Sequence, residues 1–357
     1  ERSRGLGDVY KRQYLKFVEN LSCEFSLYAP VQKGDFLFYD KVNKENIDKL
    51  FVDLRRTIHP IKSFFIPPQR KVSEYFISSS EKREEKKKVI LGVKNCDLNA
   101  LKILDNVYSG EEFGREYKDP YYMEARKETI LISSDCMDPD ENCFCTLVQS
   151  KPFPEEGFDL NLSNIEEGFI IQVGSEKGEE LIEAFRNLFS SVNKDMSKKR
   201  EKNREKIFKL LEKINKKFKT TSSYRELVRD SYDSSVWKKY SESCVECGGC
   251  NQICPTCRCF LLSDKKRGEK YEKYYLWDSC LLAGFARVAG GANPRPYLFQ
   301  RFANRLFCKF FFFPENINLD ACTGCGRCIS VCPGKIDMRK VLRDLAIEKR
   351  VTVSLEK

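Results

Sequence analysis

The pattern Cys-x2-Cys-x2-Cys-x3-Cys-Pro occurs twice in this chain, at Cys244, Cys247, Cys250, Cys254-Pro255 and again at Cys322, Cys325, Cys328, Cys332-Pro333. Three thiolates two residues apart can wrap one corner of an iron–sulfur cube, each reaching a different iron, while the fourth cysteine points away to a second cube. The spacing therefore predicts a crosswise pairing. Cys244, Cys247, Cys250 and Cys332 would hold one [4Fe–4S] cluster, and Cys322, Cys325, Cys328 and Cys254 the other. Gly248, Gly249, Gly324 and Gly326 allow the backbone to turn tightly around the cubes, and Pro255 and Pro333 restrict it after the fourth cysteine. Zinc prefers separate CxxC knuckles, which a run of four cysteines before Pro is not.

Composition agrees. The 17 cysteines of the 357 residues cluster at short gaps, which favours metal ligation in a reducing compartment over disulfides, so a cytoplasmic location is expected. His59, the sole histidine, nearly excludes His-rich zinc, copper or non-haem iron sites and leaves little scope for imidazole catalysis. No run approaches the ~18 apolar residues of a membrane helix. The formal charge of +10 resembles a nucleic-acid footprint only superficially. Basic residues alternate with Glu, as from Glu81 to Lys88, which reads as a solvated surface, and thiolate-ligated clusters add negative charge.

Residues 1–13 end in DVYKRQ, the translation of a string resembling a transposon end used in sequencing libraries, and are expected to be an artefact outside the fold. Residues 14–192 alternate strand and helix. Val89–Val93, Thr129–Ile132 and Phe169–Val173 read as strands, while Asp97–Val107 and Glu179–Phe189 carry helical stripes. Residues 193–236 form a charged helical connector with Ile207, Leu210, Leu211 and Ile214 at helical spacing, 237–345 the cluster domain, and 346–357 a tail. The fold class is an α/β N-terminal domain followed by a mainly α-helical dicluster ferredoxin-like domain. A helical dicluster domain, like that of succinate dehydrogenase iron–sulfur subunits, accommodates the long insert between Cys254 and Cys322, read as helices and a Gly/Pro-rich loop. Phe310–Phe313 reads as a buried strand.

Nine cysteines remain. Cys96 follows a strand at a helix N-terminus, where a thiolate is favoured. Cys136 also follows a strand, so both can lie at one sheet edge with Cys143 and Cys145 on the next loop, making a candidate third cluster. Cys257, Cys259, Cys280 and Cys308 read as packing or supporting residues of the cluster domain, with a fourth cluster or a zinc site as the alternatives, and Cys23 as core.

Gly92 through Cys96-Asp97 to Asp105, Asp135-Cys136, Cys143-Phe144-Cys145, Gly157-Phe158-Asp159-Leu160, Cys254-Pro255-Thr256-Cys257-Arg258-Cys259 and Trp277-Asp278-Ser279-Cys280 together resemble the iron–sulfur beta subunits of cytosolic sulfhydrogenases and their iron–sulfur counterparts in anaerobic sulfite reductase. The resemblance spans about Tyr28 to Arg343. It implies an electron relay between a flavin subunit that uses NAD(P)H and the catalytic subunit of a nickel–iron hydrogenase or sirohaem reductase. One departure is Ala292, which stands where that loop is expected to carry histidine. The chain has neither a G-x-G-x-x-G fingerprint nor a Walker A loop, so the hydride donor would bind to a partner. Arg258, Arg327 and Lys335 lie near the ligands in sequence and would raise cluster potentials. The alternative expectation is a self-contained reductase acting at an open iron in the N-terminal site.

Overall fold

The computed structural model describes residues 8–75, 87–110, 117–166 and 168–355. Residues 1–7 and most of the charged run from Glu81 lie outside that set. The helix Asp8–Glu24 begins inside the segment read as an artefact.

A six-stranded sheet forms the N-terminal part, in the order β2-β1-β4-β5-β6-β7. Its strands are β1 (Ser26–Lys33), β2 (Phe36–Lys41), β4 (Lys88–Val93), β5 (Thr129–Ser134), β6 (Leu160–Ile165) and β7 (Gly168–Val173), with β3 (Gln69–Tyr75) set apart. The central pairs β1–β4, β4–β5 and β5–β6 are parallel, and both edge pairs are antiparallel. Continuous apolar runs suit β4 and β5 because helices cover both faces of a parallel sheet. Val89, Leu91, Ile130 and Ile132 pack under Phe17, Val18 and Leu21 of the first helix. Ile90 and Leu131 face the other way, against Leu98, Leu101 and Leu104 of the helix Asn95–Ser109.

The second half carries strands as well as helices. The insert between the cysteine runs opens with a hairpin, β8 (Phe260–Arg267) and β9 (Lys270–Trp277), before an exposed loop and the helix Leu298–Phe307. Strand β9 also pairs with β3, so one three-stranded sheet draws on both halves of the chain. Phe310–Phe313 is not a strand. Cys308–Phe312 is a π-helical turn that runs into the helix Phe313–Ile317, with Phe310 and Phe313 buried and Phe312 exposed. That phase extends the helical stripe of Phe302, Leu306 and Phe307, which packs with Trp237, Val341 and Leu342. Cys23 is exposed, not core, in the last turn of its helix. Among the described residues, no helix is long and apolar enough to cross a membrane.

Candidate metal centre

Three cavities are ringed by cysteines. The first is lined by Cys244, Cys247, Cys250 and Cys332 with Leu281, Phe302, Arg305 and Met338. The second is lined by Cys254, Cys322, Cys325 and Cys328 with Phe144, Arg305 and Lys309. The third is lined by Cys96, Cys136, Cys143 and Cys145 with Arg56, Lys94 and Leu211. The cavities share walls: Cys328 borders the first and the second, and Cys325 the second and the third. Each of the three sets thus gathers around one space, with Cys332 beside the first run and Cys254 beside the second.

Topology builds the third cavity. β4 ends at Val93 and β5 at Ser134, so Cys96 and Cys136 follow adjacent parallel strands at their C-terminal edge, the usual place for a ligand in an open α/β sheet. Cys143 and Cys145 come from the loop that follows, which lies flat on the second cysteine run. Phe144 donates its backbone N–H to Gly324 O at 2.7 Å. A Cβ on Gly324, at φ +64°, would stand 2.5 Å from Cys145 Cα, and one on Gly326, at φ +71°, 2.2 Å from Asn142 O. These glycines therefore permit contact between the two halves of the chain as well as tight turning. From the connector helix Lys194–Asn215, Leu211 closes the cavity and Asn215 Nδ2 donates to Cys143 O at 2.9 Å.

The electrostatics favour an anionic guest. Lys309 Nζ lies 3.1 Å from Cys254 Sγ and also reaches Thr256 and Ala321 O. Arg305 donates to Asn251 Oδ1 at 2.8 Å and to Cys250 O. Lys94 is held by Val52 O, Ser134 Oγ and Asp135 O, and Arg56 by Cys325 O and Ser330 Oγ. All four cations are buried, and no carboxylate is among these partners. Lys94 has the Asp53 and Asp135 charges near it, whereas the opposite charges acting on Arg305 and Lys309 are thiolates. Buried charge without an opposite charge is costly, so a polyanion in the cavities fits. Among the described residues, no three His, Cys, Asp or Glu side chains converge on a point for one metal ion. Thiols that ring a space instead suit a cube whose irons each take one thiolate.

Burial pushes the thiols of Cys136 and Cys322 up to about 12 and that of Cys250 to about 11. Cys96 is raised too, by burial first and the Asp97 charge second, so desolvation outweighs its helix N-terminus. Metal uptake at such thiols releases protons.

The cations singled out by proximity in sequence behave differently. Arg327 is fully buried but paired to both oxygens of Asp97, at 2.8 and 2.7 Å, and to Thr57 O, which pins the two halves together. Arg258 stacks over the Phe313 ring at 4.1 Å. Ala292 stands in an exposed turn. The missed residues are Arg56, Lys94, Arg305 and Lys309; the last two recur with Arg301 every fourth position from the helix Leu298–Phe307 into the π turn, and all three are buried.

Residues 243–336 match the 4Fe-4S dicluster domain family. Over 344 residues the chain is 35% identical to sulfhydrogenase 2 subunit beta of Pyrococcus furiosus, covering 94% of this chain and 97% of that protein. The chain belongs to the sulfhydrogenase beta-subunit family. A second relative, the F420-dependent formate dehydrogenase subunit beta of Methanocaldococcus jannaschii, is 28% identical over 185 residues, which is 51% of this chain and 40% of that one. No solved structure matches the chain. Membership in the beta-subunit family and the dicluster match make this an iron–sulfur protein, and both fit the cysteine-ringed cavities.

Proposed function

We propose that this beta-family chain is the electron-relay component of a cytoplasmic multi-subunit oxidoreductase and holds three [4Fe–4S] clusters. Cys244, Cys247, Cys250 and Cys332 would hold the first, Cys254, Cys322, Cys325 and Cys328 the second, and Cys96, Cys136, Cys143 and Cys145 the third. One observation carries the reading: three cysteine-ringed cavities stand in series, joined through Cys328 and Cys325 and walled by buried cations. Clusters bound there supply one-electron carriers. The chain's own residues space them, exclude water through Phe144, Leu211 and Phe302, and offset their charge through Arg56, Lys94, Arg305 and Lys309.

The first cavity has the most open ligand, since Cys247 is exposed, and Val245 beside it is 64% exposed. That end suits electron exchange with a partner protein. The partners in this reading are a flavin subunit that uses NAD(P)H and the catalytic subunit of a hydrogenase or sirohaem reductase. By contrast, a self-contained reductase needs an incompletely ligated cluster, and the four cysteines of the third cavity leave no such shortfall.

An iron and labile-sulfide count on anaerobically purified protein tests the cluster number. About twelve irons are expected, and about eight would remove the third cluster. Co-purification of flavin and hydrogenase subunits tests the partners, and turnover by the chain alone would defeat the relay.

A further inference from the structure

Five cysteines are left over from the three cavities; Cys23 lies exposed on the first helix, and the four in the cluster domain do not behave alike. Cys308 packs among Ile103, Phe313 and Ile317. Cys257 points at Asn251 Oδ1, 3.8 Å away, and shares a side-chain hydrogen bond with Cys254 of the second cavity. Cys259 and Cys280, by contrast, hydrogen-bond to one another through their side chains. The β8–β9 hairpin brings them together. Its last rung pairs Phe260 with Trp277, and Asp278 N–H donates to Cys259 O at 2.9 Å, so the two cysteines flank the foot of the hairpin. Neither lines one of the three cysteine-ringed cavities.

The pair touches the first cysteine run. Asn251, buried between Cys250 and Cys254 in sequence, donates through Nδ2 to Cys280 Sγ at 3.1 Å and to Ser279 Oγ at 3.0 Å. Its Oδ1 accepts from Arg305. The hydrogen bond that Cys259 and Cys280 share lowers the pKa of the Cys280 thiol and raises that of Cys259; burial opposes the lowering at Cys280, and Asn251, Arg305 and Lys309 add to it. Cys280 is buried and Cys259 half-buried, so solvent reaches the pair from the Cys259 side.

We propose that Cys259 and Cys280 are a redox-active dithiol that exchanges two electrons with the relay. Oxidation joins the two sulfurs, releasing two electrons to the neighbouring clusters and two protons to solvent. Reduction breaks the S–S bond with two electrons, delivered singly by the clusters, and two protons, and returns both thiols. A pair that stores two electrons beside one-electron carriers matches two-electron donors and acceptors to the relay. The inference rests on the relay reading for its electrons.

The test maps thiols in the intact, cluster-loaded chain. Protein poised anaerobically at a series of glutathione or dithiothreitol potentials is alkylated, digested and weighed, with iron counted on the same sample. A peptide linking Cys259 to Cys280 is expected on oxidation. It should open on reduction with the slope of a two-electron couple, about 30 mV per tenfold change. C259S and C280S should each abolish the linked peptide and leave the iron count unchanged. Alkylation of both thiols at every potential overturns the proposal. So does loss of iron or zinc in C259S, which would make the pair metal ligands. About twelve irons with no linked peptide sinks the dithiol and leaves the relay standing. A count near zero sinks the relay, and with it the dithiol's source of electrons.

Discussion

At the residue scale, charges set on sulfur and glycines set against backbone carry the sharpest consequences. Lys309 places an ammonium 3.1 Å from Cys254 Sγ. In Lys309→Met, the reduced state loses a favourable interaction of ~2 kcal/mol, taking unit charges ~8 Å apart at an effective dielectric of ~20. The potential of one cluster should then fall by on the order of 90 mV, read by an EPR-monitored redox titration. An unchanged potential would place Lys309 outside the field of any cluster. Asp97→Asn strips the partner from the buried Arg327, which should cost about 3–5 kcal/mol in denaturant unfolding. Gly324→Ala drives a Cβ into the backbone of Phe144 and Cys145 at 2.5 to 2.7 Å. It should cost at least ~2 kcal/mol and lower iron content, whereas Gly284→Ala, with nothing within 4 Å of its added Cβ, should leave iron content unchanged.

At the element scale, the connector helix is more than a solvated link. Ile207 and Leu211 pack on Cys143 and Cys145, while Leu210 on the same helix is exposed. Leu211→Ala should cost about 2–5 kcal/mol and let oxygen reach the third site. The expected readout is faster loss of one cluster's EPR signal in air, with the others retained. Equal decay of all signals would mean that the helix shields nothing. The hairpin belongs to the same scale: its strand β9 pairs with β3, far earlier in the chain, so it staples the cluster domain to the sheet domain.

For the whole molecule, the buried cations decide how metal and fold depend on each other. Arg56, Lys94, Arg305 and Lys309 are buried and hydrogen-bond to neutral groups and one thiol. Removing the clusters leaves Arg56, Arg305 and Lys309 uncompensated at several kcal/mol per ion, while Lys94 keeps the Asp53 and Asp135 charges nearby. Iron-stripped protein should therefore melt at least ~10 °C below the loaded form in anaerobic calorimetry. Coincident melting curves would show that the cations have another counter-charge.

Much of the site is legible in sequence because cluster ligation is a local chemical pattern. Fixed spacing in Cys-x2-Cys-x2-Cys-x3-Cys-Pro sets which thiols share a corner, and the runs of Val89–Val93 and Thr129–Ile132 are apolar and short enough to name buried strands. The third set can be assembled because Cys96 and Cys136 each follow such a strand. The insert misleads because its strands have no alternation to find: Phe260, Leu261 and Leu262 are all about half exposed on an edge. Phe310–Phe313 misleads because a short apolar run carries no period of its own, and the π turn sets its phase. Tertiary structure alone decided which cations face sulfur and which, like Arg327, are answered by a carboxylate, and it alone brought Cys259 to Cys280. Those are contacts between residues far apart in the chain, and chain spacing holds no information about which distant side chains share a low-dielectric space.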